Sequence, residues 1–213
     1  MVNSDIFRTV MRDHEAEIEE KRSTFIAAVK RVSTAAEAEA FVKERKKMHP
    51  AARHTVFAYL LRDGNKRYGD DSEPQGTAGM PTLKVIEQRG VCDVCIATTR
   101  YFGGILLGAG GLTRAYGAAA NKALEGAGVA EFIPFTDILL DLTYPDYQKL
   151  LQELPRYEAR ERNTDFAERV ALTVGLPATR TEAFLARVTD LTAGRAIAEI
   201  GETNLDAKPQ GWG

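Results

Sequence analysis

A glycine-rich segment between two arginines has the composition of an anion-binding loop. It runs from Arg100 to Arg114, follows an apolar stretch with the pattern of a strand and leads into an amphipathic helix. Backbone N–H groups at the start of such a helix favour negative charge, and Arg100 and Arg114 would strengthen the site if they converge. The opposite interpretation, that the glycines only permit tight turns and close helix packing, is equally open. The glycines of this segment are Gly103, Gly104, Gly108, Gly110 and Gly111.

The glycine-rich segment does not match the known nucleotide-binding motifs. Gly103 and Gly108 have the spacing of a P-loop, but the next two residues, Ala109 and Gly110, stand where that motif requires Lys and then Ser or Thr. The dinucleotide-binding motif fails as well, because Thr113 occupies the position of its third glycine. A phosphate site in this segment would therefore be of another kind.

An acidic cluster lies ahead of a second loop. It consists of Asp70, Asp71 and Glu73, and the loop continues through Thr77. Three neighbouring carboxylates could hold a hard cation such as Mg²⁺, or raise one another's pKa for acid–base chemistry. We favour the interpretation that they cap the following helix and meet nearby arginines. The loop is nevertheless dense in glycine and proline, which suits a functional surface.

The densest positive run of the chain consists of Lys43, Arg45, Lys46 and Lys47. Such a run is most often the solvated face of a helix, and we favour that interpretation. Nucleic-acid contact through Lys43, Lys46 and Lys47 is the alternative.

The other reactive residue types form no recognisable catalytic set. Cys92 and Cys95 have CxxC spacing, but residues three apart on a strand point to opposite faces, and no second Cys or His pair lies nearby. We interpret both as buried strand cysteines. His49 and His54 lie near a strand start and suit local hydrogen bonds, although His54 stays a candidate site residue. We predict no metal and no cofactor.

Composition restricts the class of protein. The 213 residues carry 28 Lys and Arg against 30 Asp and Glu, a net charge of −2, and 44% are hydrophobic, as in folded globular proteins. No apolar run reaches the roughly 18 residues that span a bilayer, and the first residues lack a signal-peptide core, so we expect a cytoplasmic protein without membrane contact. Residues 1–134 hold 19 basic and 17 acidic side chains, and residues 135–213 hold 9 and 13. Any nucleic-acid contact must therefore be local.

The hydrophobic pattern predicts an α+β protein whose first domain covers residues 1–134. The clearest element is a helix over 112–127, in which small apolar residues recur every three to four positions and allow close approach to a sheet. The elements expected before it are two extended segments within 15–32 with a turn at 21–23, a helix over about 35–48, strands over 55–61 and 66–68, a short helix through 86 and a strand over 91–99.

A second pattern follows, in the order β-α-β-β-α-β. This order is the split βαβ of a ferredoxin-like domain, which we place at residues 135–201. The connection over 133–135 is the predicted domain boundary, and residues 202–213 are expected to form a flexible tail. The expected strands are 138–143, 159–164, 169–174 and 196–200, and the expected helices are 145–154 and 178–192.

The chain resembles the YigZ/IMPACT family over most of residues 15–130, and residues 138–200 look like the smaller domain that bacterial members append. The resemblance implies an N-terminal α/β sandwich with the left-handed βαβ fold of certain ribosomal proteins, of domain IV of elongation factor G and of the GHMP kinases. It also implies a ferredoxin-like C-terminal domain similar to domain V of that factor. The matching segments are KRSTFIAAV at 21–29, AARHTVFAY at 51–59, GDDSEPQGTAGMP at 69–81 and RYFGGILLGAGGLTRAYG at 100–117.

The resemblance further implies a link to translation. Eukaryotic relatives restrain the kinase that shuts down translation initiation during amino-acid starvation, by competing for its activator. The chain departs from the family at Thr55 and Val56, where Asn-Cys is frequent, and at Gln75, where Ser is frequent. These departures weaken any proposal of a cysteine nucleophile. Leu106 replaces the lysine of many bacterial members, which removes a positive charge from the glycine-rich segment.

The leading hypothesis is a non-enzymatic, translation-linked regulator that binds RNA, the ribosome or a ribosome-associated protein through the glycine-rich segment, with help from the basic run. The alternative is a magnesium-dependent enzyme acting on a small phosphorylated or nucleotide ligand, with the acidic cluster holding the metal. Kinases of related fold need a second large lobe, for which this chain has little room. A third hypothesis, a protein-interaction module that uses the ferredoxin-like sheet, stays open.

Overall fold

The computed structural model describes residues 6–208 and shows a mixed α+β protein with two compact units, which confirms the predicted fold class. The N-terminal unit covers Phe7–Glu131, and the described part of the C-terminal unit covers residues 132–208 together with Ile6. The division lies close to the predicted boundary at 134. No linker separates the units, because one strand, β7 (Val129–Leu142), runs through the division.

The N-terminal unit is built on a five-stranded antiparallel sheet of order β2-β3-β6-β4-β5. Helices α2 and α3 cover one face of this sheet and α1 covers the other. Strand β1, which the sequence did not predict, is hydrogen-bonded to β7 instead. The elements are β1 (Phe7–Val10), β2 (His14–Glu20), β3 (Ser23–Arg31), α1 (Ala35–Met48), β4 (His54–Leu60), β5 (Lys66–Gly69), α2 (Gly79–Arg89), β6 (Val94–Tyr101) and α3 (Gly108–Ala127).

A two-residue turn joins β2 to β3 where the sequence predicts it. Both of its residues, Lys21 and Arg22, have positive φ angles of 48° and 63°. Turns of this hand match the twist of the strands that they connect. The turn places the Arg22 backbone and Ser23 next to the end of β6, where the glycine-rich segment begins.

Helix α3 begins at Gly108, one turn earlier than the sequence predicts. Its buried face is made of five alanines and three larger residues, Leu112, Tyr116 and Leu124, and it packs on β2 and β3. The helix ends at Ala127, as the sequence predicts, and is followed by Gly128 with φ of 68°. The earlier start converts the second half of the glycine-rich segment into the first turn of a helix.

The C-terminal unit has the predicted order of elements. Its antiparallel sheet has the strand order β10-β7-β9-β8, which is the arrangement of the split βαβ, and the core lies between the inward residues of the sheet and two helices. After β7, its elements are α4 (Tyr144–Leu151), a 3₁₀ turn (Leu154–Tyr157), β8 (Arg160–Phe166), β9 (Val170–Pro177), a 3₁₀ turn (Ala178–Arg180), α5 (Thr181–Thr192) and β10 (Ile197–Ala207).

The predicted tail is wrong for its first residues. Strand β10 continues to Ala207, and residues 203–207 pair with β7 after a β-bulge. Residues 202–207 show no alternation of apolar and polar side chains, so the sequence does not predict a strand there. Its formation depends on hydrogen bonding to β7. The last tail residues, 209–213, lie outside the described residues.

No helix within residues 6–208 is both long enough and apolar enough to span a membrane.

Candidate functional site

A buried ion pair stands where the glycine-rich segment leaves the sheet. Arg100, near the end of β6, donates from Nη1 to Glu73 Oε1 over 2.8 Å, and the two side chains are 7% and 3% exposed. Tyr116 of α3 donates its hydroxyl to the same oxygen over 2.7 Å. Burial and this hydrogen bond raise the pKa of Tyr116, so it remains a donor. The acidic loop, strand β6 and helix α3 therefore meet at the Glu73 carboxylate.

The remaining contacts hold Arg100 in place from several sides. Ser23 Oγ lies 3.4 Å from Arg100 Nη2 and accepts a hydrogen bond from the Gly103 N–H over 3.2 Å. The guanidinium also lies over the rings of Phe25 and Phe102, at 5.4 and 5.6 Å from their centres. The structure thus revises the prediction for Arg100: its charge is balanced inside the protein, so it cannot serve as a free cation for a ligand.

The acidic cluster is divided among three structural tasks. Asp70 accepts hydrogen bonds from the backbone N–H groups of Gly76, Ala78 and Gly79, and so caps the start of α2. Asp71 accepts from the Thr55 N–H over 2.7 Å and pairs with a lysine of α1. The favoured interpretation of the cluster, capping and pairing with arginine, matches this geometry. In the part of the chain that the structure describes, no group of His, Cys, Asp and Glu side chains suits a metal ion.

Two residues assigned to the surface of this loop are in fact buried. Glu73 lies in the ion pair, and Thr77 donates its hydroxyl to the Pro74 carbonyl over 2.6 Å. The loop turns sharply ahead of Glu73, where Asp71 and Ser72 have positive φ angles, and again at Thr77, whose N–H bonds the Pro74 carbonyl.

The capping role of Asp70 gives the first prediction. We expect Asp70→Ala to lower the free energy of unfolding by about 2 kcal/mol, because it leaves three backbone N–H groups without their acceptor. Asp165→Ala is the matched control, since Asp165 is exposed on β8 and no described residue bonds its side chain. Urea denaturation measures both. Equal stability of the two variants would contradict the capping role.

The basic run is only partly a solvated face. Arg45 is buried and bonds Glu15 and His49, while Lys46 pairs with Asp71 over 2.8 Å. Lys43 and Lys47 are exposed. Lys43 and Lys46 line a separate groove with side chains of β4 and β5, and neither lines the pocket beside the glycine-rich segment. Through Lys46, the basic run therefore contacts the acidic loop and not the pocket beside the glycine-rich segment.

The cysteines and His49 have local roles. Cys95 is buried in β6, and burial raises its thiol pKa to about 12. The prediction of a buried strand cysteine is wrong for Cys92, which is half-buried and lies just before β6, and burial raises its pKa. His49 contacts Arg45 and the Tyr101 hydroxyl, and burial lowers its pKa. These environments suit packing rather than thiolate or metal chemistry.

The glycines of the segment differ in what they contribute to its structure. A side chain on Gly103 would overlap the Arg22 carbonyl group, so this glycine permits close packing. Gly104 and Gly108 have positive φ angles of 84° and 70° and lie in open space. Gly110 and Gly111 lie in the first turn of α3, which has no side-chain cap at its start. Free N–H groups are therefore present at this helix end.

A pocket of about 360 Å³ opens beside the start of α3. Arg53 lies at it, exposed, and no described residue bonds its guanidinium. Arg53 is not among the predicted site residues, and its only sequence signal is its position next to His54 in the segment 51–59. Arg114 is exposed near Gly110 but does not line the pocket. The lining residues are Arg53, His54, Glu73, Pro74, Arg100, Phe102, Leu106, Leu107, Gly108, Ala109 and Leu112.

Two family models match this chain, one in each of its two units. The family model of the Impact N-terminal domain matches residues 21–124, and that of a domain of unknown function (DUF1949) matches residues 140–195. The IMPACT family member YvyE of Bacillus subtilis is 37% identical over 91% of this chain and 90% of its own length. The IMPACT family member YigZ of Escherichia coli is 35% identical over 82% of this chain and 87% of its own. A crystal structure of a hypothetical protein superposes with a TM-score of 0.60 at 31% identity, covering 93% of this chain and 98% of that one.

Proposed function

Because the chain belongs to the IMPACT family, a family of regulatory proteins, we propose that its N-terminal unit recognises phosphate groups of RNA as part of a non-enzymatic, translation-linked regulation. The observation that carries the proposal is the uncapped start of α3, where free N–H groups lie beside Arg53, whose guanidinium no residue within 6–208 bonds.

The charges around this helix start favour an anion. Arg100 and Glu73 neutralise each other, so the net charge of the pocket comes from Arg53 and from the positive end of the α3 dipole. Arg114 adds a second exposed cation on the first turns of the helix. This is a local site, as expected for a chain whose overall charge is slightly negative.

Exposed apolar side chains next to these cations favour RNA with unpaired bases. Phe102, Ile105 and Leu106 are exposed in the same segment, and Leu106 is 82% exposed. Aromatic and apolar surfaces beside a positive groove are typical of sites on which unpaired bases stack. A ribosome-associated protein could use the same surface, and the binding experiment separates the two partners.

We expect the double variant Arg53→Ala/Arg114→Ala to bind structured RNA and ribosomes more weakly than the wild type. The slope of log affinity against log salt should fall by about two units, one for each lost phosphate contact. Filter binding over a salt series measures the slope. Arg8→Ala is the control, since Arg8 is an exposed arginine on β1, outside the pocket.

The outcomes separate the partners. Equal slopes for the double variant and the wild type would contradict phosphate recognition by these arginines. Binding to whole ribosomes but not to their purified RNA would favour a protein partner.

The enzyme hypothesis is the second candidate, and the pocket volume favours it. About 360 Å³ lies at the lower end of the range for small-ligand pockets, roughly 300–1,000 Å³. Its magnesium part has little support, because Asp70, Asp71 and Glu73 are each engaged by protein groups. The acidic cluster therefore offers no joint site for a cation.

A thermal-shift series with nucleotides tests the enzyme candidate. A nucleotide at 100 times its dissociation constant should stabilise the protein by about 2.7 kcal/mol, and we expect the same value with and without magnesium. Phosphorus NMR of the same mixtures should show no conversion of the nucleotide. Conversion, or a shift that requires magnesium, would favour the enzyme over the regulator.

A further inference from the structure

The pocket beside α3 is lined by Glu73, and one of its carboxylate oxygens accepts no hydrogen bond within residues 6–208. The Glu73 side chain is 3% exposed, and its Oε1 accepts from both Arg100 and Tyr116. No described residue donates to its Oε2, and that atom is not sealed from solvent. Glu73 is one of the residues that line the pocket, and we infer that Oε2 is the atom that faces it. An acceptor that faces a pocket can bond water or, in its place, a ligand hydroxyl or amino group.

His54 supplies a second acceptor to the same pocket. Its Nδ1 lies 2.8 Å from the carbonyl oxygen of Asp71. A carbonyl oxygen only accepts, so Nδ1 carries a proton, and Nε2 is the ring atom that can accept in this tautomer. No described residue bonds Nε2. The loop that contains Asp71 therefore fixes both acceptors, since Glu73 follows two residues later.

The pocket that holds the two acceptors also has a positively charged part and apolar walls. Arg53 and the free N–H groups of α3 favour an anion, whereas Phe102, Leu107 and Leu112 give apolar walls. A ligand that fits would carry a phosphate, a flat apolar body and two neighbouring hydroxyl donors. A ribonucleotide with free 2′- and 3′-hydroxyls has all three, whereas an internal nucleotide of a strand or a deoxynucleotide lacks the pair of hydroxyls.

We propose that this pocket binds a ribonucleotide with a free 2′,3′-diol, whose hydroxyls donate to Glu73 Oε2 and His54 Nε2 and whose phosphate lies against Arg53 and the start of α3. The inference rests on the proposed phosphate recognition and names the part of RNA that is recognised. Two sources provide this chemistry: the 3′ end of an RNA strand and a free ribonucleoside 5′-monophosphate. The pocket volume, about 360 Å³, suits one nucleotide.

The test changes the ligand first, because substitution of Glu73 would disturb the ion pair. The full chain is titrated with a short single-stranded RNA and with the same RNA ending in a 2′,3′-dideoxynucleotide, which carries equal phosphate charge. AMP and 2′,3′-dideoxy-AMP form the second arm. We expect each loss of the diol to weaken binding at least about tenfold, because the ligand then makes two hydrogen bonds fewer, one of them to a charged carboxylate. Equal affinity for both members of each pair would overturn the proposal.

A matched pair of protein variants places the effect in this pocket. Ala109 and Ala118 are both exposed on α3, but only Ala109 lines the pocket. Ala109→Phe should occupy the pocket and erase the preference for the diol, whereas Ala118→Phe should keep it. Melting curves of both variants confirm that they are folded. A diol preference that survives in Ala109→Phe would overturn the proposal.

The RNA and AMP titrations also distinguish a failure of this inference from a failure of the proposed function. RNA binding that depends on Arg53 and Arg114 but not on the diol would leave phosphate recognition standing and refute the inference. Diol-dependent binding of AMP alone would support the pocket while refuting RNA as its source. Absence of binding to any of these ligands would refute both.

Discussion

Gly103→Ala should destabilise the protein by about 3 kcal/mol, the upper part of the range for added groups in packed sites. A β-carbon at this position would overlap the carbonyl group of Arg22 and crowd the Ser23 nitrogen. Both are backbone groups of the turn between β2 and β3, so no side-chain rotation can relieve the overlap. The turn or the glycine-rich segment must therefore shift, and the Gly103 N–H bond to Ser23 is lost with it.

Gly110→Ala is the matched control, and its expected effect has the opposite sign. The nearest atom to a β-carbon there is Nη1 of Arg114 at 3.5 Å, the end of a flexible side chain. Within a helix, alanine is favoured over glycine by roughly 0.5–1 kcal/mol, so this variant should be slightly more stable than the wild type. Urea denaturation of both variants gives the comparison. Equal effects would show that Gly103 is not required for close packing.

Most elements of both units could be predicted from the sequence, because local periodicity and capping residues determine them. The turn at Lys21 and Arg22, the helix after Thr34 and the order of the C-terminal strands all follow from periodicity and capping. Where the prediction missed, tertiary contacts decide the outcome. The first turn of α3, from Gly108, lies beside the pocket and outside the core, so it carries no apolar pattern. The apolar face begins only at Leu112, which is why the sequence places the helix start one turn too late.

The site was less accessible from sequence, because it depends on which strands lie side by side. Strand β4 pairs with β6 so that His54 stands opposite Arg100, and this register brings Arg53 to the glycine-rich segment from a position about 50 residues away. No local pattern encodes that neighbour. The burial of Arg100 was also hidden, because an arginine in a glycine-rich stretch has the composition of an exposed loop until its partner, Glu73, is placed.

The largest coupling in the chain should be found between Glu73 and Arg100. We expect Glu73→Gln and Arg100→Met each to lower the free energy of unfolding by about 3–5 kcal/mol, because each leaves a buried charge without its partner. The double variant removes both charges and keeps a side-chain oxygen at position 73 as the acceptor for Tyr116. Its cost should therefore be smaller than the sum of the single costs by about 2 kcal/mol or more.

An exposed ion pair of similar length isolates the contribution of burial. Lys66 and Glu87 lie 2.7 Å apart with side chains 52% and 39% exposed, against 2.8 Å, 7% and 3% for Arg100 and Glu73. The same double-mutant cycle at the exposed pair, with Lys66→Met and Glu87→Gln, should give a coupling below about 1 kcal/mol, since water screens both charges. Equal coupling at the two pairs would mean that burial does not set the strength of the pair. A large coupling only at Glu73 and Arg100 would show that this pair ties the acidic loop to the sheet beneath the proposed site.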